Sequence, residues 1–289
     1  MPDRIRLDSA TVNAPDAIAL ARFYAEITGG TAAGDSHWAA VTGPDGDLAF
    51  QQVDDFRPPD WPGDSVPTQL HLDFHVDDLE ATGARVLAAG ARRFDAQPNA
   101  DHCIVYADPV GHPFCLSTWA FDDLVHAALP TEEPAPAPES GPADEAAAWG
   151  VTVDCAHPRA LARFWALALG YREPSAPDGF TSWDAWLTDQ GVPEDERDDA
   201  AYLSDPSGRL PTLSFLKVPE PKTTKNRLHL DVKVSGGRGA PADRREQAIR
   251  AKVAELCAVG GRTLSEHDGP RGLDHVVLAD PEGNELCVV

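Results

Sequence analysis

His71, Asp73 and His75 alternate with apolar residues in the run His71-Leu72-Asp73-Phe74-His75-Val76, and its first three residues recur as His229-Leu230-Asp231. An imidazole beside a carboxylate can move a proton, hold a polar ligand or bind a metal, depending on what else reaches it. Alternation at period two puts His71, Asp73 and His75 on one face of a strand and Leu72, Phe74 and Val76 on the other. His71 and His75 are then about 13 Å apart at roughly 3.3 Å per residue, so the run by itself does not chelate an ion. Each copy leads to an Asp-Pro-X-Gly turn and a cysteine: Asp108-Pro109-Val110-Gly111 with Cys115, and Asp280-Pro281-Glu282-Gly283 with Cys287. Glu285 shares strand parity with Cys287, so His229, Asp231 and Glu285 are the candidate acid–base residues, the alternative for Glu285 being an exposed strand-end charge. His71 and His229 either bind a ligand or are structural. Cys115 and Cys287 have no base beside them in sequence, and strand cysteines are commonly buried and inert.

Two further groups could touch a ligand. Lys222, Lys225 and Arg227 form a basic run that could grip a carboxylate or phosphate, or simply neutralise charge in a solvated loop. Of seven tryptophans, Trp38, Trp61, Trp119, Trp149, Trp183 and Trp186 fall where cavity mouths are expected, with Trp38 and Trp183 placed in the second strand of their halves, while Trp165 lies on a helix face. No glycine-rich phosphate loop, Gly-x-Ser-x-Gly elbow or Walker motif is present.

These residues sit on a duplicated scaffold. Leu20-Ala21-Arg22-Phe23-Tyr24 matches Leu161-Ala162-Arg163-Phe164-Trp165, and the offset between copies grows along the chain, which places insertions in the second half. A weaker repeat relates Asp16 and Gly29 to Asp77 and Gly90, so four units are implied. The first reads as a strand over Ile5–Asn13, then a helix capped by Asp16 with Leu20, Phe23, Tyr24 and Ile27 on one stripe and stopped by Gly29-Gly30. Strands near Trp38–Thr42 and Leu48–Val53 follow, joined by a turn at Pro44-Asp45-Gly46. The second repeats the order, with a helix from Asp78 to Ala89 showing Leu79, Val86 and Leu87 on one side.

Acidic residues number 47 against 24 basic, a formal net charge of −23, which disfavours nucleic acid and anionic membranes and favours cationic ligands, or serves solubility alone. Five scattered cysteines without a Cys-x-x-Cys pair, no apolar leader after Met1 and no run of 18 apolar residues lead to the expectation of a reduced, cytoplasmic protein.

Together, the Leu-Ala-Arg-Phe-aromatic helices, the Asp-Pro-X-Gly turns before a final strand and the stretch Lys222–Asp231 resemble the vicinal oxygen chelate superfamily, in its glyoxalase-like, bleomycin-resistance-like branch, over residues 5–119 and 149–289. The resemblance implies an α+β fold of tandem glyoxalase-like domains, each of two βαβββ modules forming a curved sheet around a cavity. Domain one is placed at 1–121, a Pro/Ala/acidic linker at 122–148 and domain two at 149–289. It also implies, in metal-dependent members, one ion ligand from each of four strands: Ser9, Gln51, His71 and Cys115 in the first half, and Gly150, Leu216, His229 and Cys287 in the second. The first set reaches three N/O donors only by counting the weak Gln51 amide and the poor Ser9 hydroxyl, and the second offers His229 alone, so no cofactor is expected; if a divalent metal is present, His71 and Gln51 hold it. The expected function is metal-independent binding of a small organic ligand, aromatic or cationic and antibiotic-like, as in drug-sequestering members. Trp38, His71, Asp73, His75, Cys115, Trp183, His229, Asp231, Glu285 and Cys287 are its expected contacts. The alternative is a lyase, isomerase or dioxygenase, metal-dependent or using His229, Asp231 and Glu285. A monomer with its domains paired within the chain is expected, with a homodimer as the alternative.

Overall fold

In the computed structural model, residues 5–43, 46–63, 65–98, 100, 103–118, 148–177, 179–234, 236–237 and 239–289 are described. Module one is β1 (Arg6–Ala14), α1 (Ala17–Thr28), β2 (Thr31–Gly34), β3 (Trp38–Gly43) and β4 (Gly46–Gln52). Module two is β5 (Leu70–Val76), α2 (Leu79–Ala88), β6 (Arg92–Arg93), β7 (Cys103–Ala107) and β8 (Pro113–Thr118). Module three is β9 (Ala148–Cys155), α3 (Pro158–Leu169), α4 (Trp183–Asp189), β10 (Ala200–Leu203) and β11 (Thr212–Lys217). Module four is β12 (Leu228–Lys233), α5 (Ala242–Ala258), β13 (Arg262–Gly269), β14 (Gly272–Ala279) and β15 (Glu285–Val288). The turn residues Pro44 and Asp45, Trp119, and the linker residues 122–147 lie outside the described residues; Ala148 opens β9.

Local chemistry sets these boundaries. Asp16 caps α1 by accepting from the Ala19 amide at 3.1 Å, and Gly29 ends it at φ 65°, a left-handed conformation that glycine enters without a Cβ penalty. Asp78 caps α2 through the Glu80 and Ala81 amides. The buried face of α2 is Thr82, Gly83 and Val86, and Leu87 is turned out to 45 % exposure, against expectation. The close approach of β7 explains that rotation: a Cβ on Gly83 would stand 2.5 Å from Tyr106 Oη. Trp183 begins a helix and not a strand, because Ser182 accepts from the Ala185 amide as an N-cap in the insertion of module three. In place of a second strand this module has, among the described residues, the isolated bridge Arg172–Ser204.

The expected α+β architecture of tandem modules is present as two sheets, and each sheet draws one module from each half. The eight-stranded sheet runs β13-β14-β15-β12-β1-β4-β3-β2, and the seven-stranded sheet β10-β11-β9-β5-β8-β7-β6. The joins are antiparallel, β1 on β12 with Thr11 opposite His229, and β9 on β5 with Thr152 opposite His71. Modules of one half instead meet back to back, through the apolar faces of their sheets and the helices. Leu72, Phe74 and Val76 from β5 enter the same core as Leu20, Tyr24 and Ile27 from α1.

Two buried carboxylates fix that back-to-back packing. Asp108 accepts from the Val110 and His112 amides inside its own turn and, at 3.1 Å, from the Tyr24 hydroxyl of α1. Asp280 accepts from the Glu282 and Asn284 amides and, at 3.1 Å, from the Trp165 indole of α3. The aromatic at the end of each helix motif and the aspartate of each turn motif are thus one latch, made twice. Tyr24→Phe removes one donor from a buried carboxylate and should lower the urea-unfolding free energy by about 1–3 kcal/mol while the circular dichroism spectrum is retained; an unchanged midpoint would contradict the latch.

Candidate functional site

The polar face of the seven-stranded sheet forms a cavity of about 450 Å³. Its floor is His71, Asp73 and His75 of β5, Cys115 and Ser117 of β8, Gly150, Thr152 and Asp154 of β9, and Ser214 and Leu216 of β11. Cys103, Tyr202, Trp61, Pro62, Pro98 and Glu220 are among the residues completing the walls, and among the described residues no lysine or arginine lines it. Trp61 is braced edge-on by Phe94, with ring centroids 4.8 Å apart.

The floor is electrostatically organised around His71 and Asp73, whose Nε2 and Oδ1 are 3.5 Å apart. Burial pushes the His71 pKa down, but the charge of Asp73 and its hydrogen bond outweigh burial, and with Asp154 they raise it to about 9. Burial acts to raise Asp73, and the His71 charge together with bonds from His71 and Thr152 holds it below the usual carboxylate range. The Thr152 hydroxyl donates to Asp73 Oδ2 at 2.6 Å across the join between halves. Asp154 is pushed up to about 6, chiefly by burial. Cys115 is raised well above the usual thiol range by a hydrogen bond with Cys103 and by burial, so it is a neutral thiol in the wall. His75 Nδ1 lies 3.1 Å from Ser117 Oγ.

The eight-stranded sheet repeats the motif with different surroundings. His229 Nε2 lies 3.6 Å from Asp231 Oδ1, and Asp231 accepts from Thr11 at 2.7 Å and Ser9 at 3.0 Å. Here burial lowers the His229 pKa; Asp231 opposes this, and Lys225 adds to it. Cys287 is raised by burial and by Asp231. Glu285, a candidate for acid–base work with an exposed strand-end charge as the alternative, is held at 3.1 Å by Lys222 and at 3.1 Å by the Asn226 amide.

The crossed pairing regroups the four-strand ligand sets. His71 and Cys115 share a sheet with Gly150 and Leu216, while His229 and Cys287 share one with Ser9 and Gln51. In the seven-stranded sheet two of the four positions carry no donor atom, and Gln51 is on the other sheet from His71, so the expected His71–Gln51 pair is not formed. In the other sheet the Ser9 hydroxyl is committed to Asp231. His71, Asp73 and Cys115, and likewise His229, Asp231 and Cys287, do bring one donor atom each within 4.8 Å of one another. Each trio offers one carboxylate oxygen, one imidazole nitrogen and one soft thiol. With a single oxygen donor, such a set falls short of the oxygen-rich shell that a hard divalent ion takes.

Of the expected contacts, His71, Asp73, His75 and Cys115 meet in the cavity, and His229, Asp231 and Cys287 form the second cluster. Trp38 is 46 % exposed at the start of β3, opposite Gln51, and is not in this cavity wall. Trp183 and Trp186 pack edge-on, 5.6 Å apart, around a separate cavity of about 280 Å³, and Trp149 is buried in the core. Thr152, Asp154, Glu220 and Cys103 were missed; Thr152 and Asp154 share the strand parity of Gly150, which is the signal that marks them as inward-facing.

His71, raised in the fold, contributes stability that is fully present below its ordinary value of 6.5 and is lost as pH rises through about 9. Asp73→Asn should leave burial as the dominant influence and move the His71 NMR titration from about 9 to below 6.5, and the stability deficit of the variant should shrink as pH rises across that window.

The family model described as "Glyoxalase-like domain" matches residues 9–117 and 150–289. Among solved structures, a glyoxalase I variant from Zea mays superposes with a TM-score of 0.55 at 14 % identity, over 99 % of this chain and 93 % of that one. A putative dioxygenase from Bacillus subtilis subsp. subtilis str. 168 gives 0.53 at 10 % identity, over 100 % of this chain and 86 % of that one. Comparison with curated proteins finds no match. At these identities the structural likeness speaks for the fold, while the sequence match spans most of both halves, and the chain belongs to the glyoxalase-like domain family of the vicinal oxygen chelate superfamily.

Proposed function

We propose that the seven-stranded sheet binds a small organic cation with an aromatic or apolar body, without a metal. One observation carries this reading: among the described residues, Asp73, Asp154 and Glu220 line the cavity with Trp61, Tyr202 and three prolines, and no lysine or arginine does. The His71 charge offsets one carboxylate, leaving the others to attract a cation that the aromatic rings can also hold through their faces. Gly150 and Leu216 support the metal-free part, because they leave room for the ligand where ion donors would stand. The setting proposed is a reduced cytoplasm, supported by five free cysteines; among the described residues no helix is long and apolar enough to cross a membrane. The state proposed is a monomer, because each sheet is completed within one chain, and light scattering at a single chain's mass checks it.

Aminoacridine, a flat aromatic cation, is a suitable probe. Its fluorescence titration should show binding that survives chelator and weakens as pH falls through about 6, where Asp154 takes up a proton. Asp154→Asn should weaken it about tenfold, or about 1.4 kcal/mol, and abolish that pH dependence. Anthracene carboxylate should not displace it. Binding that appears only with added Mn, Fe, Ni or Zn, or that is indifferent to ligand charge, overturns the reading.

A further inference from the structure

A second cavity of about 450 Å³ lies at the end of the eight-stranded sheet, and its charge is the reverse of the first. Among the described residues, Arg57, Lys225 and Arg227 line it against one carboxylate, Asp55, in a chain whose net charge is −23. Val53, Phe56 and Val66 supply apolar wall. Among the described residues Arg57 and Lys225 make no ion pair. Arg227 is 5 % exposed, and its guanidinium donates to Thr224 Oγ1 and to the carbonyls of Lys225, Pro67 and Thr68, all neutral, while its Nε has no partner. Glu285, the carboxylate that acts on Arg227 electrostatically, is instead bonded to Lys222 and the Asn226 amide. A buried cation lacking a contacting counter-charge is costly, and a bound anion relieves that cost.

The duplication locates where the two cavities diverged. Two residues before the histidine of each His-x-Asp pair, and two after each seam threonine, the chains cross by equivalent bonds: the Asp154 amide to the Gln69 carbonyl at 2.8 Å, and the Asn13 amide to the Arg227 carbonyl at 2.7 Å. Asp154 on one sheet thus corresponds to Asn13 on the other, and Gln69 to Arg227. One copy has acquired a carboxylate and the other a guanidinium at the same crossing. We infer that the cavity of Arg57, Lys225 and Arg227 binds a small organic carboxylate with an apolar body, as a site separate from the cation-binding one.

The test uses the full chain, with benzoate as probe and benzamide as its neutral counterpart, followed by backbone NMR. Benzoate should shift resonances of residues 53, 55–57, 65–66 and 224–227, and weaken with added salt. Arg57→Gln and Lys225→Gln change exposed side chains outside the core, and each should lower the affinity about tenfold with the amide spectrum otherwise retained. Aminoacridine binding should be unchanged in both variants, which keeps this site distinguishable from the other. Benzamide binding as well as benzoate, benzoate shifts centred on His71, no effect of either variant, or inorganic phosphate binding as tightly as benzoate would each overturn the assignment.

Discussion

A carboxylate buried in a tight turn must find donors, and the way Asp108 and Asp280 find theirs sets the geometry of the whole chain. Two donors come from each turn's own amides, which shape Asp-Pro-X-Gly, and another comes from an aromatic on the helix of the preceding module. With Tyr24 and Trp165 fixed there, the apolar faces of the two modules in a half are pressed together, and Phe50, Phe74 and Phe114 close around Tyr24. The polar faces are then left on the outside of the pair. Each finds its neighbour in the other half, where Thr11 and Thr152 reach the carboxylates of Asp231 and Asp73.

Much of this was legible in the sequence, since it depends on local rules. Alternation in His71–Val76 showed which side chains face the core, and Asp16, Asp78 and the glycines marked the helix ends. Which module lies beside which was not legible, because alternation names a face and says nothing of the neighbouring strand; the halves therefore carried over as separate ligand sets, and Gln51 was paired with the wrong histidine. The insertion in module three misled for another reason. Trp183 and Trp186 have the aromatic character of a strand, and the Ser182 cap that decides for helix is a short-range signal easily outweighed by the expected repeat.

The two His-x-Asp pairs show how little of a site's electrostatics its core motif determines. Their distances differ by a tenth of an ångström, yet one imidazole is driven up and the other down. Asp154 stands by the first, Lys225 by the second, and neither belongs to the motif. Reading a duplicated chain for function thus requires attention to the positions where the copies differ, since the shared residues mainly hold the strands and the hydrogen bonds between them.

The crossed sheets also bear on how such a chain arose. A single half, taken alone, ends in two open strand edges, β1 in one module and β5 in the other, each an antiparallel template for the edge it lacks. Two identical halves would satisfy one another by a two-fold operation, closing both edges at once. The present molecule has the form of that symmetric pair carried in one polypeptide, and covalent continuity lets equivalent positions differ, Asp154 against Asn13 and Gln69 against Arg227, a divergence that identical subunits cannot undergo.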